Sequence, residues 1–273
     1  MQGGTGENRG IIPRMNFAIF DRIAEDKAKR PGVLFLVMVS YFEIYNEVIY
    51  DLLDSSDRKK RQTQKGGGLE IKQHPILGVY VKGLQEIVVD NANKLQSIID
   101  QGSSNRTVAS TLMNSDSSRS HSVFIITIHQ KDAEDETKNC FAKVNLVDLA
   151  GSERAKSTGA TGAALKEGSN INKSLSELGN VINALVEQAK GKKNVFIPYR
   201  NSKLTRVLQE SLGGNSITTM LAALSPALCN FDETLSTLKY ANRAKAIKVF
   251  ALVLYGLNFS YYHNILCILI NIR

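Results

Sequence analysis

Continuous apolar runs alternate along the chain with short glycine-rich or charged breaks, and this pattern predicts buried strands. Residues 33–39 form one such run, rich in β-branched side chains. Apolar runs without alternation are typical of strands that are covered on both faces. Short strands are predicted within 78–89, and further strands at 122–130, at 217–224 and from Val144 to the carboxylate of Asp148. The pattern therefore indicates an α/β protein.

Two segments in the first half of the chain have the apolar spacing of amphipathic helices. One has Pro13 in its first turn, where proline is tolerated, and ends near Lys29. The other is predicted to begin with Asp90 as its capping residue and to end before Gly102.

The helix predicted at 169–189 has the most regular spacing. Its apolar positions form one stripe, and Gly191 is expected to end it. The opposite face is polar and available to a partner. The stripe consists of Ile171, Leu175, Leu178, Ile182, Leu185 and Ala189. A last helix is predicted at 232–248, with Leu235, Leu238, Ala241 and Ala244 facing inward.

Composition narrows the function only slightly. The 273 residues have a net charge of +8, which favours an acidic partner, and nucleic acid, an anionic membrane or an acidic protein surface would all fit. Cys140, Cys229 and Cys267 lack metal-ligand spacing, which favours a reducing compartment. The polar opening MQGG does not resemble a signal peptide.

Two polar motifs lie at strand ends. In VNLVDLAGSER (144–154), Asp148 could hold Mg²⁺ through water, and the amide of Gly151 could approach a phosphate. Strand–turn junctions also carry Asp and Gly for purely conformational reasons. In NSDSSRSH (114–121), hydroxyls, an arginine and a histidine form a donor array that suits phosphate and metal-bound water.

These two motifs, together with four others in a fixed order, resemble the kinesin motor domain. The other four are NINKSL at 170–175, IPYRNSKLTR at 197–206, SLGGN at 211–215 and TLSTLKYA at 234–241. The resemblance implies a three-layer P-loop NTPase-type fold, with helices on both faces of a mostly parallel central sheet. The segment 74–81 is similar to the kinesin-3 branch.

The resemblance also implies roles for single residues in hydrolysis of ATP with Mg²⁺. Ser117 and Ser118 would act near Mg²⁺ and the γ-phosphate, and Arg119 would pair with Glu153 to close the two switches. Nucleotide and metal contacts would come from Asn114, Ser118, Asp148 and Gly151, with Ser118 and Asp148 at the metal, partly through water. Contacts with microtubules would come from Arg154, Lys173, Arg200, Lys203 and Arg206.

The chain departs from the family pattern at both ends. No GxxxxGK[ST] phosphate-binding loop occurs in it, and residues 1–14 resemble the segment that directly follows this loop. We therefore expect 1–248 to be a partial motor domain that lacks the N-terminal strands, including one from the middle of the sheet. The neighbours of that strand would then have unpaired edges.

The segment 249–273 is outside the family pattern, and Arg273 is its only formally charged residue. It has the length of a membrane span but is interrupted by polar residues such as Asn258 and His263. It is interpreted either as translated non-coding or mis-spliced sequence or as a membrane-seeking tail.

The leading hypothesis is a microtubule motor fragment that acts in the cytoplasm on the microtubule cytoskeleton, and that is inactive or severely impaired as an ATPase on its own. Tubulin is the expected partner, without nucleic acid, and a membrane could be contacted only through 249–273. The alternative is a non-catalytic microtubule-binding module. A P-loop GTPase or a myosin-like protein would share the DxxG motif but explains neither SSRSH nor IPYRNSKLTR, and no guanine-reading NKxD is present.

Overall fold

The computed structural model of the protein describes residues 3–4, 6–54, 68–75, 78–112, 120–151, 163–214, 216–247 and 261–270, and at 108–112, 163–172 and 261–270 it describes the backbone alone. These residues form six α-helices and nine strands. In chain order they are α1 Ile11–Lys29, β1 Val33–Tyr45, β2 Val48–Asp51, β3 Glu70–His74, β4 Gly78–Lys82, β5 Ile87–Val89, α2 Ala92–Leu112, β6 His121–Asp132, β7 Cys140–Asp148, α3 Ala163–Ala189, α4 Lys203–Val207, α5 Gln209–Gly213, β8 Ser216–Ala222, α6 Phe231–Ala244 and β9 Tyr261–Ile270.

The main sheet is mixed, with the strand order β2-β1-β6-β7-β9-β8 and with β5 paired to β1. Parallel pairing is confined to β7, β9 and β8, whereas the pairs among β2, β1, β5, β6 and β7 are antiparallel. The expectation of a mostly parallel sheet is therefore wrong. The turn of Asn46 and Glu47 joins β1 to β2, and the connection at 133–139 joins β6 to β7. Connections this short can only join antiparallel neighbours. Strands β3 and β4 form a separate hairpin.

Strand β6 shows that the fold has three layers. Val123 and Ile125 belong to a core that includes residues of α3, α4 and α5, whereas Phe124 and Ile126 belong to a core that includes residues of α1 and α2. Because successive side chains of a strand point to opposite faces, the sheet is covered by helices on both sides. The two predicted helices that begin near Pro13 and at 169 are confirmed.

Strand β1 is only partly covered, contrary to the expectation for 33–39. Leu34 and Leu36 are 63% and 42% exposed, whereas 39–44 are buried throughout. Val37, on the alternate face, packs in the core that contains α1. The apolar run therefore marks a strand with one open face in its first half.

Helix α2 continues past Gly102, where it was predicted to end. A Cβ on this glycine would lie 2.2 Å from Cδ1 of Tyr41, so the glycine allows the helix to approach β1 closely. The cap is also displaced by one residue, because Oδ1 of Asn91 accepts the Lys94 amide at 2.8 Å and Asp90 does not take this role.

Helix α6 faces the core only partly through the predicted residues. Leu235 and Leu238, which were expected to face inward, are exposed, whereas Thr237 is buried and Tyr240 packs, together with the predicted Ala244, against the core that contains α3. Both sets of residues have helical spacing, so only the position of the neighbouring elements selects the inward face.

Strand β9 comes from the segment outside the family pattern and lies between β7 and β8, parallel to both. The facing sides of β7 and β8 are therefore paired, and the expected unpaired edges are not found between these two strands. Among the residues that the structure describes, no helix has the length and apolar character to cross a membrane. The two interpretations of the origin of 249–273 stay predictions.

Candidate functional site

The described parts of the two polar motifs, 120–121 and 144–151, meet at one edge of the main sheet. Ser122, at the start of β6, is the register partner of Asp148, the last residue of β7. Asp148 also pairs with Leu269 of β9, so it lies at the carboxyl end of the parallel strands. Ligands of α/β proteins bind at this end of a parallel sheet. The topology thus places Asp148 where a nucleotide site is expected.

Arg106 of α2 contacts Asp148 and was not anticipated from the sequence. Its Nη1 lies 3.4 Å from Oδ2 of Asp148, and the two side chains are 13% and 33% exposed. Its Nη2 donates to the Ser120 carbonyl at 2.8 Å and its Nη1 to Oγ of Ser122 at 3.2 Å. The guanidinium therefore orders the start of β6 against the end of β7. The only sequence signal was a cation eight residues before NSDSSRSH, on a helix of unknown orientation.

His121 turns inward, although the sequence placed it in a phosphate-binding donor array. Its Nδ1 accepts the Ala150 amide at 2.9 Å, and its Nε2 lies 2.7 Å from Oγ of Ser174 in α3. The side chain is 2% exposed. Burial, and secondarily the charge of Arg106, lowers the pKa of His121 to about 3, so the imidazole is neutral at physiological pH.

Several predicted site residues lie outside the described residues, namely Asn114, Ser117, Ser118, Arg119, Glu153 and Arg154. The proposed pairing of Arg119 with Glu153 thus stays a prediction. Gly151 is described and half-buried, directly after the buried Leu149 and Ala150. The loop that would face a γ-phosphate therefore begins directly after two buried residues.

A magnesium site would rest on few protein ligands. Within the described ranges, no group of three or more His, Cys, Asp and Glu side chains could hold a metal. Mg²⁺ is commonly held by one or two carboxylates, water and substrate phosphates, and the half-exposed Asp148 suits such a site. A metal at this edge is therefore expected to arrive together with a nucleotide.

The predicted partner-binding residues that the structure describes lie on α3 and on the segments that follow it. Lys173 is exposed on the polar face of α3, as are Ser176, Asn180 and Asn183. Arg200 is exposed on a short 3₁₀ turn, and this turn is tied to α3 because Asn201 donates to Glu177 at 2.9 Å.

Helix α4 carries the other two predicted partner-binding residues that the structure describes, Lys203 and Arg206. Its start is held by Glu47, which accepts the Ser202 hydroxyl at 2.7 Å and the Lys203 amide at 2.8 Å. Nη2 of Arg206 donates to Gln73 of β3 at 2.7 Å. The start of α4 is thus fixed by the β1–β2 turn, and the Arg206 side chain is held against the small hairpin.

A comparison with protein families matches residues 1–247 to the kinesin motor domain. The chain belongs to the kinesin motor-domain family. Among curated relatives, human kinesin-like protein KIF13B is 50% identical over 254 residues, and Dictyostelium discoideum kinesin-related protein 1 is 49% identical over 255 residues. Each alignment covers 92% of this chain but only 13% and 11% of the respective relative. These relatives support the kinesin-3-like resemblance.

Solved kinesin structures share the fold. A KIF14 dimer in a two-heads-bound state, with AMP-PNP and in complex with a microtubule, is 44% identical with a TM-score of 0.80. The match covers 94% of this chain and 70% of that one. The three-layer P-loop kinesin fold inferred from the motifs is thereby confirmed.

Proposed function

We propose that this chain supplies the nucleotide-sensing and microtubule-binding parts of an ATP-driven microtubule motor. The observation that carries the proposal is the connection between two surfaces. Asp148 lies at the carboxyl edge of the parallel strands, and the loop after it is hydrogen-bonded through His121 to α3, whose outer face carries Lys173, one of the candidate tubulin contacts. The KIF14 complex with a microtubule supports the choice of partner.

At the nucleotide site, the proposed roles divide between charge and positioning. Asp148 would hold metal-bound water while Arg106 orients its carboxylate, and the Gly151 amide would contact the γ-phosphate. Ser117, Ser118 and Asn114 would complete the nucleotide and metal contacts. Arg119 and Glu153 would form the bidentate pair that closes the site. Bound Mg²⁺ would neutralise charge on the phosphates.

Hydrolysis by the 273-residue chain on its own is proposed to be negligible. The sequence contains no GxxxxGK[ST] loop, whose amides and lysine cradle the β- and γ-phosphates. Charge-assisted hydrogen bonds contribute roughly 1.5–3 kcal/mol each. Without about four such donors, binding is weaker by on the order of 6–12 kcal/mol, which is at least four decades of affinity.

At the partner surface, binding is proposed to depend on electrostatic attraction. Lys173 lies on the polar face of α3, Arg200 on the adjoining 3₁₀ turn, and Lys203 and Arg206 on α4, and together they would attract an acidic protein surface such as that of tubulin. The protein would accordingly act on cytoplasmic microtubules. Binding should weaken as salt rises, since exposed charges are screened.

The test is cosedimentation of the purified chain with microtubules, with and without MgATP or MgAMP-PNP, combined with a phosphate-release assay. We expect pelleting that is sensitive to salt and no stimulated phosphate release. Failure to pellet at low salt would refute the microtubule-binding role. Microtubule-stimulated phosphate release would refute the proposed lack of activity.

The alternative function is a microtubule-binding module without turnover. The absence of a phosphate-binding loop in the sequence favours it for this chain, and the exposed polar face of α3 suits it equally well. The same experiment separates the two functions. Pelleting that MgAMP-PNP strengthens or weakens supports a motor component, whereas pelleting that no nucleotide alters, at concentrations high enough to offset the weakened binding, supports the module.

A further inference from the structure

The imidazole of His121 connects three elements that are far apart in sequence. The residue starts β6, its Nδ1 contacts the backbone of Ala150 after β7, and its Nε2 contacts Ser174 in α3. Ser174 is itself buried. Two hydrogen bonds therefore join the loop that follows Asp148 to a helix with an exposed outer face.

The donor and acceptor roles in this connection follow from Ala150. A backbone amide can only donate, so Nδ1 must be the unprotonated acceptor. The proton of the neutral ring is then on Nε2, which donates to Oγ of Ser174. The ring is bonded at both nitrogens, and neither bond can be made to water because the side chain is buried.

The two ends of the connection adjoin the two proposed functional surfaces. Ala150 lies between Asp148 and Gly151, which would sense the nucleotide. Ser174 directly follows Lys173, which would contact tubulin. A displacement of α3 along its axis must therefore either move the Ala150 backbone or break one of two hydrogen bonds of 2.7 and 2.9 Å.

We propose that His121 is a positioning residue that couples the loop at 148–151 to α3, so that tubulin bound at the outer face of α3 alters this loop through the imidazole. The coupling rests on the proposed microtubule binding. It requires no ATP turnover, so it can be measured on the chain as it is.

The experiment follows hydrogen exchange at the Ala150 amide by mass spectrometry of the full chain, free and bound to microtubules. Ser174→Ala removes the hydroxyl that anchors Nε2, and Ser174→Thr retains a hydroxyl. Ser176→Ala removes an exposed hydroxyl from the other face of the same helix and is the matched control. Microtubule affinity of each variant is measured in parallel by cosedimentation.

In the free chain, we expect Ser174→Ala to accelerate exchange at Ala150 about fivefold, because an imidazole with one anchor holds the amide less firmly. Microtubules should change this exchange in the wild type, Ser174→Thr and Ser176→Ala. They should leave it unchanged in Ser174→Ala, even where that variant still pellets. Selective ¹⁵N-histidine NMR should show His121 protonated at Nε2.

Different failures are distinguishable. If the wild type does not bind microtubules, the proposed function is overturned and the coupling falls with it. If the wild type binds but Ala150 responds equally in Ser174→Ala and the wild type, the coupling is overturned while microtubule binding stands. Protonation of His121 at Nδ1 would overturn the hydrogen-bonded connection itself.

Discussion

At the scale of single residues, a neutral imidazole at His121 is required for the hydrogen bonds on which the proposed coupling rests. The ring accepts a backbone hydrogen bond at Nδ1, which a protonated ring cannot do. Burial and the nearby charge of Arg106 both oppose protonation, and together they lower its pKa from 6.5 to about 3. A group whose pKa is lower in the folded state links folding to pH.

The sign of this linkage gives the first prediction. Between pH 6.5 and 3, the unfolded chain binds a proton at this position that the folded chain does not, so stability falls as pH falls below 6.5. At pH 5 the loss from His121 alone is about 2 kcal/mol, and it grows further towards pH 3. Urea unfolding of the wild type at pH 8, 6.5 and 5 measures it.

The variant that isolates this contribution is His121→Gln, which should flatten the slope of stability against pH whatever its stability at pH 8. The contribution of His121 is the loss of unfolding free energy between pH 8 and pH 5 in the wild type minus the same loss in His121→Gln. A difference of zero would contradict the prediction.

At the scale of elements, helix α2 is placed by its contact with β1 at Gly102 and Tyr41. A second glycine, Gly179 of α3, is also inside a helix but has ordinary space around it, since a Cβ there would lie 3.7 Å from Tyr240. Alanine at Gly179 would therefore change mainly the helix propensity, whereas alanine at Gly102 would also disturb the packing of α2 on β1.

Alanine substitution at these glycines should have opposite effects on stability. Gly102→Ala should destabilise by about 1–3 kcal/mol, because its methyl group would overlap the Tyr41 ring. Gly179→Ala should be neutral or stabilising by up to about 1 kcal/mol, because alanine has the higher helix propensity. Urea unfolding at pH 8 compares them, and equal stabilisation by both would show that α2 does not approach β1 so closely.

The proposed partner surface is also a property of elements, since α3, the 3₁₀ turn and α4 together present its basic residues. Arg200→Glu and Lys203→Glu should each lower microtubule affinity about three- to tenfold at low salt, with smaller effects at high salt. Lys27→Glu makes the same charge change on α1, on the other side of the sheet. Cosedimentation should show affinity near wild type for Lys27→Glu. An equal loss of affinity in all three variants would show that only the net charge of the protein matters, and not the position of the basic residue.

At the scale of the whole molecule, β9 decides whether the sheet is continuous. Its position between β7 and β8 gives both strands a hydrogen-bonded neighbour in the middle of the sheet. Without it, two strand edges in the described part of the sheet would face each other unpaired, and unpaired edges promote aggregation.

Hydrogen exchange tests this arrangement. The amides of β9 should be protected to a similar degree to those of β7 and β8, because a central strand opens only with its neighbours. Leu266→Pro, opposite Asn145 and Thr218, removes a ladder N–H and should lower protection in all three strands. Asn258→Pro, outside β9, is the matched control. Rapid exchange throughout 261–270 in the wild type would contradict a central position.

The sequence by itself determined the family, the three-layer fold, and the strand–carboxylate–glycine unit around Asp148. It also determined that Leu178, Ile182 and Leu185 lie on the buried face of α3. Each of these is encoded in a short string or in a spacing of three to four residues, because periodicity and motif chemistry are local properties.

Only the tertiary structure decided the inward face of α6, the contact of Arg106 with Asp148, the inward turn of His121 and the place of β9. Each depends on elements that are distant in the chain. Arg106 and Asp148 are 42 residues apart, and His121 and Ser174 are 53 apart. Nothing in the local sequence distinguishes a histidine that faces phosphate from one that joins a loop to a helix, because that choice depends on which donors and acceptors the fold brings within hydrogen-bonding distance.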